Sequence, residues 1–225
     1  MKATTLRRLI IAVFMVWSGL TWGYSRAQNR SAIDIQVWPS GEVVLTSGDT
    51  VSGPLMFYRN QDVINVQHKD GTVSAFSPVN VQYFIANELP GGNHHVFRTY
   101  AWDQGHNYSN FRKPTFFEQL NDGYITLIMR ETYTARDLAN TGGYRYYNSA
   151  YYAPSNSEWA EQVTELYYAL LPDGTIITLR NVRKDLGKLF GKKSSLVKSF
   201  VKQNKLSYEN PMEVVAIVNY FNSLE

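Results

Sequence analysis

Short apolar runs at regular spacing dominate residues 33–100, and polar turn residues separate them. The run IDIQVW alternates apolar and polar positions, and EVVLT, DVINVQH and VQYFIANE are rich in valine, isoleucine or aromatic residues. Such a period of two is typical of strands that bury one face. The same pattern returns in YITLIMRETY, ELYYALL and TIITLR. We therefore expect antiparallel strands from about residue 33 to residue 180.

Turns that contain glycine and aspartate separate these runs: SGD (47–49), KDG (69–71), NDG (121–123) and PDG (172–174). Asp-Gly is a strong hairpin signal because glycine readily takes the positive φ that such turns need. We expect KDG to form a type I′ turn with Gly71 at positive φ. The stretch TSGDTVSG leads into a strand and has no lysine, so it matches neither a phosphate-binding loop nor the G-x-S-x-G turn of a serine nucleophile. We interpret it as a hairpin turn.

The period changes after residue 180, where apolar residues recur on one helical face. Asn181 is a suitable N-cap for a first helix, and Gly191 is a suitable residue to follow its end. The run SSLVKSFVKQNK predicts a second helix. Asn210, followed by Pro211 and Glu213, predicts the start of a third. Helices this short are not stable alone, so they should pack on the sheet.

These elements predict a mainly β (α+β) fold: an antiparallel β-sandwich or partly open barrel with three short C-terminal α-helices packed on it. We divide the chain into a signal peptide (1–27), an antiparallel β domain (28–180) with a Tyr-rich insertion (133–163), and a C-terminal helical segment (181–225).

The first residues have the three parts of a secretory signal peptide. Lys2, Arg7 and Arg8 form the basic part, and an apolar run follows from Leu9 to Trp17. Small residues then predict cleavage between Ala27 and Gln28. The apolar run is shorter than the ~20 residues of a membrane span, although a retained, tilted anchor is the alternative. We expect an exported protein in the periplasm, associated with the outer membrane, or secreted, with no transmembrane span in the mature chain.

Charge and composition limit the partners, location and cofactors that we expect for this chain. The net charge of +3 comes largely from the predicted signal, so the mature chain is close to neutral and we expect no nucleic-acid partner. There is no cysteine, which fits a bacterial envelope better than an animal extracellular space. No cofactor motif is present, so we expect none. One basic stretch stands out, with a lysine face that suits either solvent or an anionic lipid or polysaccharide: Lys184, Lys188, Lys192, Lys198, Lys202 and Lys205.

The segment 133–163 is unusually long for a connection between two strands, and such connections are often functional. Tyrosine among glycine, serine and asparagine is typical of recognition surfaces, because it offers large, rigid contact area. The alternative is a loop that packs back on the sheet. The candidate binding residues are Tyr144, Tyr146, Tyr147, Tyr151, Tyr152 and Trp159.

Histidine and acidic residues suggest two further kinds of site, a metal site and a catalytic site. Metal ligands are only weakly indicated, by His94, His95, Asp103 and His106, because adjacent strand residues point to opposite faces. Glu118, Asp122 and Glu131 are the nearest acidic candidates for catalysis, but their spacing does not force two carboxylates together. A hydrolase site would lie near His94 to Asp122.

The stretch from Gly41 to Phe84, GEVVLTSGDTVSGPL…INVQHKDGTVSAFSPVNVQYF, is similar to uncharacterised exported proteins of Gram-negative bacteria. The C-terminal stretch LLPDGTIITLRNVRKDLGKLFGKKSSLVKSFVKQNKL also looks like the end of such proteins. The resemblance implies an exported β-rich protein and supplies no functional residues. We expect a non-enzymatic protein that binds an envelope protein or glycan. The alternatives are a hydrolase of an envelope polymer and a structural accessory protein.

Overall fold

The structure, a computed structural model, describes residues 34–88, 92–106, 111–137 and 159–225. The strands of these ranges form one antiparallel sheet in the order β10-β9-β8-β7-β6-β5-β1-β2-β3-β4. They are β1 (Ile35–Leu45), β2 (Thr50–Tyr58), β3 (Val63–Gln67), β4 (Val73–Phe76), β5 (Val81–Asn87), β6 (His94–Trp102), β7 (Lys113–Gln119), β8 (Thr126–Asp137), β9 (Trp159–Leu170) and β10 (Ile176–Thr178).

The predicted turns lie where the strands meet. Gly48, Gly71 and Gly174 have φ of 92°, 85° and 81° between β1 and β2, β3 and β4, and β9 and β10. The KDG turn is not the predicted type I′ turn, which would need positive φ at both Asp70 and Gly71, because Asp70 does not have positive φ. Instead the Gly71 amide donates to His68 O, and the His68 amide donates to Thr72 O. This pattern is a type I turn followed by a glycine bulge, and it still requires positive φ at Gly71.

Three helices follow the sheet: α1 (Val182–Leu189), α2 (Ser194–Gln203) and α3 (Pro211–Asn222). As predicted, the Asn181 side chain caps α1 by accepting from the Lys184 amide, and Asn210 caps α3 by accepting from the Met212 amide. Gly191, just past α1, has φ of 50°. Within the described ranges, no helix has both the length and the apolar character needed to cross a membrane.

The sheet curls around one hydrophobic core, and the helices pack against the sheet over a second core. Phe57 of β2 and Phe116 of β7 lie 6.0 Å apart between ring centroids, although β1, β5 and β6 separate their strands in the sheet. The helices cover the β8–β9 end, where apolar side chains from both layers meet: Ile125, Leu127, Ala169, Leu179, Leu186, Phe190, Val197, Val214, Ile217, Val218 and Phe221. The sheet is not closed into a barrel. The prediction of a mainly antiparallel β fold with three short packed helices is confirmed.

A side-chain amide joins the two layers. The Ile125 amide donates to Oδ1 of Asn222 at 2.9 Å, and Nδ2 of Asn222 donates to the Ile125 carbonyl at 2.9 Å. Asn222 therefore satisfies both backbone groups of a buried residue, as a neighbouring strand would.

Candidate functional site

Strands β8 and β9 form a ribbon that continues beyond the rest of the sheet. β7 pairs with β8 only at Glu118 opposite Met129 and Gln119 opposite Ile128. From Glu131 opposite Glu165 to Asp137 opposite Trp159, the two strands pair with each other alone in the described part of the sheet. That stretch is roughly 20 Å long at the usual rise of a strand.

Residues at both ends of the predicted insertion belong to the strands of the ribbon. β8 runs to Asp137 and β9 starts at Trp159, so the irregular segment 133–163 was placed too widely. Trp159 begins β9 opposite Asp137. The other binding candidates lie outside the described residues: Tyr144, Tyr146, Tyr147, Tyr151 and Tyr152.

Two ion pairs connect the base of the ribbon to residues at the β2–β3 turn. Arg59 lies 2.6 Å from Oε2 of Glu131, and Arg130 Nη1 lies 3.3 Å from Oδ1 of the buried Asp62. Where β7 and β8 separate, the Phe116 amide donates to Asp62 Oδ2, and Arg130 donates to the Phe116 carbonyl at 2.7 Å. Burial raises the pKa of Asp62, while the Arg130 charge opposes that rise. Asp62 thus occupies the place that a β8 backbone group would fill.

A histidine between two carboxylates lies on the inner face of the sheet. Nδ1 of His95 is 2.7 Å from Glu118, Nε2 is 3.2 Å from Glu88, and the ring centroid is 6.1 Å from that of Trp38. The hydrogen bond that His95 donates to Glu118 is the main cause that raises the pKa of His95 to about 9. An ionised carboxylate only accepts hydrogen bonds, so both ring nitrogens are donors and the imidazole is protonated at neutral pH.

The surroundings of His95 suit an ion pair better than proton transfer. A protonated ring whose nitrogens both donate to carboxylates has no lone pair for a general base. The cavity next to Glu118, which Glu131 also lines, has a volume of about 10 Å³. That volume holds one water molecule at most, so it has no room for a sugar ring.

The other candidates for a metal site are not brought together. His94 points away from His95 and contacts Asn87 Oδ1 at 2.6 Å. Asp103 and His106 lie in the turn after β6, roughly 30 Å along the strand from His94. No three histidine, aspartate or glutamate side chains in the described ranges form a group that could hold a metal. The four weak ligand candidates therefore do not form one site.

The three acidic candidates have three different partners. Glu118 binds His95, Glu131 binds Arg59, and Asp122 accepts from Nε2 of Gln119. Glu118 and Glu131 line one small cavity, but a cation holds each carboxylate.

Sequence reasoning missed Arg59 and Asp62. Their stretch, RNQD, reads as an ordinary polar turn between two strands. Nothing in its spacing relates it to Arg130 or Glu131, because the curl of the sheet creates those contacts.

Comparison of the chain with family models, curated proteins and solved structures found no match. What the molecule does is therefore inferred from its own residues.

Proposed function

We propose that the protein is exported and binds an envelope protein or glycan through the Tyr-rich residues between β8 and β9. The signal-peptide pattern of residues 1–27, the absence of cysteine and the resemblance to exported proteins support the location. Binding, rather than catalysis, is supported by the composition of residues 138–158, where tyrosine occurs among glycine, serine and asparagine.

The observation that carries the proposal is the β8–β9 ribbon. A two-stranded ribbon is marginally stable on its own. This one has its base fixed by Arg59 to Glu131 and by Asp62 to Arg130. Its far end holds the two ends of the insertion at paired positions, Asp137 and Trp159. A support whose strands are already paired favours recognition, since ordering the support on binding would cost affinity.

The hydrolase alternative has less support. His95 is protonated between Glu118 and Glu88, and the adjacent cavity of about 10 Å³ has no room for a polymer. A structural accessory role remains the other alternative, and the same experiment separates it from binding.

The test changes Tyr146, Tyr147, Tyr151 and Tyr152 together to serine. The matched control is Tyr124→Ser, which removes an exposed tyrosine outside the insertion. Each purified protein is incubated with peptidoglycan sacculi, and separately crosslinked to envelope proteins from the same bacterium. We expect the quadruple variant to keep the melting temperature of the parent and to lose retention in one of the two assays, while Tyr124→Ser keeps both.

Two outcomes would overturn the proposal. If the quadruple variant unfolds, the tyrosines belong to the core. If it stays folded and keeps every partner, the segment is a tolerated insertion and the accessory role is favoured.

A further inference from the structure

A wide groove lies between helices α1 and α2 and the chain that follows α2. Its volume is about 930 Å³. Val182, Phe190, Val201 and Leu206 supply its apolar surface. Polar side chains that can exchange hydrogen bonds with a ligand line the rest: Asn181, Ser194, Ser207 and Tyr208. Burial raises the pKa of Tyr208, so its hydroxyl remains a donor.

The charge of this groove is strongly positive. Arg183, Lys198, Lys202 and Lys205 line it, and Glu209 is its one acidic lining residue. None of the four cations forms an ion pair with a carboxylate in the described part of the chain. By contrast Lys188, on the same segment but outside the groove, lies 3.4 Å from Asp185. Like charges along low-dielectric walls raise the local concentration of anions.

Three of the four cations come from α2 and the turn that follows it. Lys198 and Lys202 lie four residues apart on α2, about 6 Å along its axis. Lys205 follows in a Schellman motif, in which the Leu206 amide donates to Val201 O and the Lys205 amide to Lys202 O. Lys205 has φ of 53°, at a position where glycine is usual. Lys205 lines the same groove as the other two lysines, in a conformation whose cost glycine would avoid.

We propose that this groove binds an acidic saccharide, a short chain with acid groups on neighbouring sugars. The four cations that line the groove match a chain with several acid groups, and the hydroxyl and amide groups of the wall match sugar hydroxyls. An anionic membrane surface fits less well, because a flat bilayer does not enter a groove. The large exposed apolar side chains of the helical segment, Leu196 (52% exposed) and Met212 (77% exposed), also lie outside it.

This site is independent of the function proposed for the Tyr-rich insertion. The groove belongs to residues 181–209, whereas the ribbon ends at Asp137 and Trp159. The tyrosine variants should therefore keep groove binding, and the groove variants should keep whatever the insertion binds. Either proposal can fail without the other.

The test is calorimetric titration of the full chain at low ionic strength. The acidic probes are tetragalacturonate and a heparin-derived tetrasaccharide, and maltotetraose is the neutral control. The groove variant is Lys198→Gln with Lys202→Gln. The matched control is Lys184→Gln with Lys188→Gln, which removes the same charge from the same segment outside the groove. Arg183→Gln is a second groove variant, and all the changed residues are exposed.

We expect at least one acidic saccharide to bind, with an affinity that falls as salt is added. From typical values for exposed ion pairs, its affinity for the groove double variant should be lower by about fivefold or more. Arg183→Gln should weaken it in the same direction, the control double variant should stay within about twofold of the parent, and maltotetraose should not bind. The proposal fails if neither acidic saccharide binds, or if the two double variants lose affinity equally. It also fails if tetraglutamate or phosphatidylglycerol vesicles bind the groove more tightly than the saccharides, since the ligand is then a peptide or a membrane.

Discussion

Nδ1 of His95 lies 2.7 Å from Oε1 of Glu118, which reaches it from the neighbouring strand β7. A second carboxylate, Glu88, holds the other nitrogen. The arrangement links the stability of the sheet to the protonation of one ring.

Raising the pH should therefore weaken the fold. The pKa of His95 is about 9 in the folded chain, above the ~6.5 of an unfolded histidine. Its contribution is complete below about pH 6.5 and is lost as the pH rises toward about 9. The ring is partly exposed, so solvent screening keeps the loss small. Thermal melts across this range measure it.

His95→Gln should remove this part of the pH dependence, whereas His94→Gln, on the opposite face, should keep it. The difference between each variant and the parent cancels the titration of other groups. Identical pH profiles for the parent and His95→Gln would contradict the prediction.

Gly71→Val should lower the free energy of unfolding by about 1–3 kcal/mol, the usual cost of a strained backbone conformation. Gly71 has φ of 85°, and no heavy atom lies within 4 Å of where a Cβ would be, so the cost comes from the backbone and not from a clash. Gly71→Asn is the control, because asparagine tolerates this conformation better. Denaturant titration that finds valine and asparagine equal to glycine would show that the turn does not hold this φ.

Asp62→Ala should cost about 2–4 kcal/mol, because it removes the carboxylate paired with the partly buried Arg130 and leaves the Phe116 amide without its acceptor. Asp62→Asn should cost less, since its one amide oxygen still accepts from one of the two donors and asparagine tolerates φ of 56°. Urea unfolding of both variants gives the two values. An Asp62→Ala variant as stable as the parent would mean that Asp62 is not needed as an acceptor here.

Export should remove residues 1–27. Ser25 and Ala27 are small residues at the −3 and −1 positions before Gln28, behind an apolar run that is too short to span a membrane. N-terminal sequencing of the exported protein should begin at Gln28, within a few residues. Recovery of an intact chain from Met1 in the membrane would show that the segment is an anchor.

Local chemistry made much of the fold predictable. Gly48, Gly71 and Gly174 mark the hairpins because few other residues adopt their φ, and Asn181 and Asn210 start helices because their side chains accept from the free amides of the first turn. The sequence has two separate apolar runs, IDIQVW and EVVLT, in the stretch that forms the single strand β1. Its pairing shifts between Trp38 and Gly41, around Pro39, which donates no backbone hydrogen bond.

The long-range pairings had no such local signal. β1 lies between β2 and β5, and no turn residue in the sequence indicates that β5 pairs with β1. The Asp62–Arg130 contact and the cationic groove arise where separate segments meet after the sheet curls and the helices pack. The lysine face was visible in the sequence, but its division into groove and solvent-facing residues was not.

The pairing of Asp137 with Trp159 has a consequence for how this protein can change over evolutionary time. The entropy of closing a loop grows only with the logarithm of its length, so doubling the connection costs about 0.6 kcal/mol. A change in the length of the connection therefore alters the closure entropy only slightly, while the strand pairs that hold its two ends stay the same. Selection can therefore diversify the segment while the scaffold stays constant, as it does for variable loops on other β frameworks.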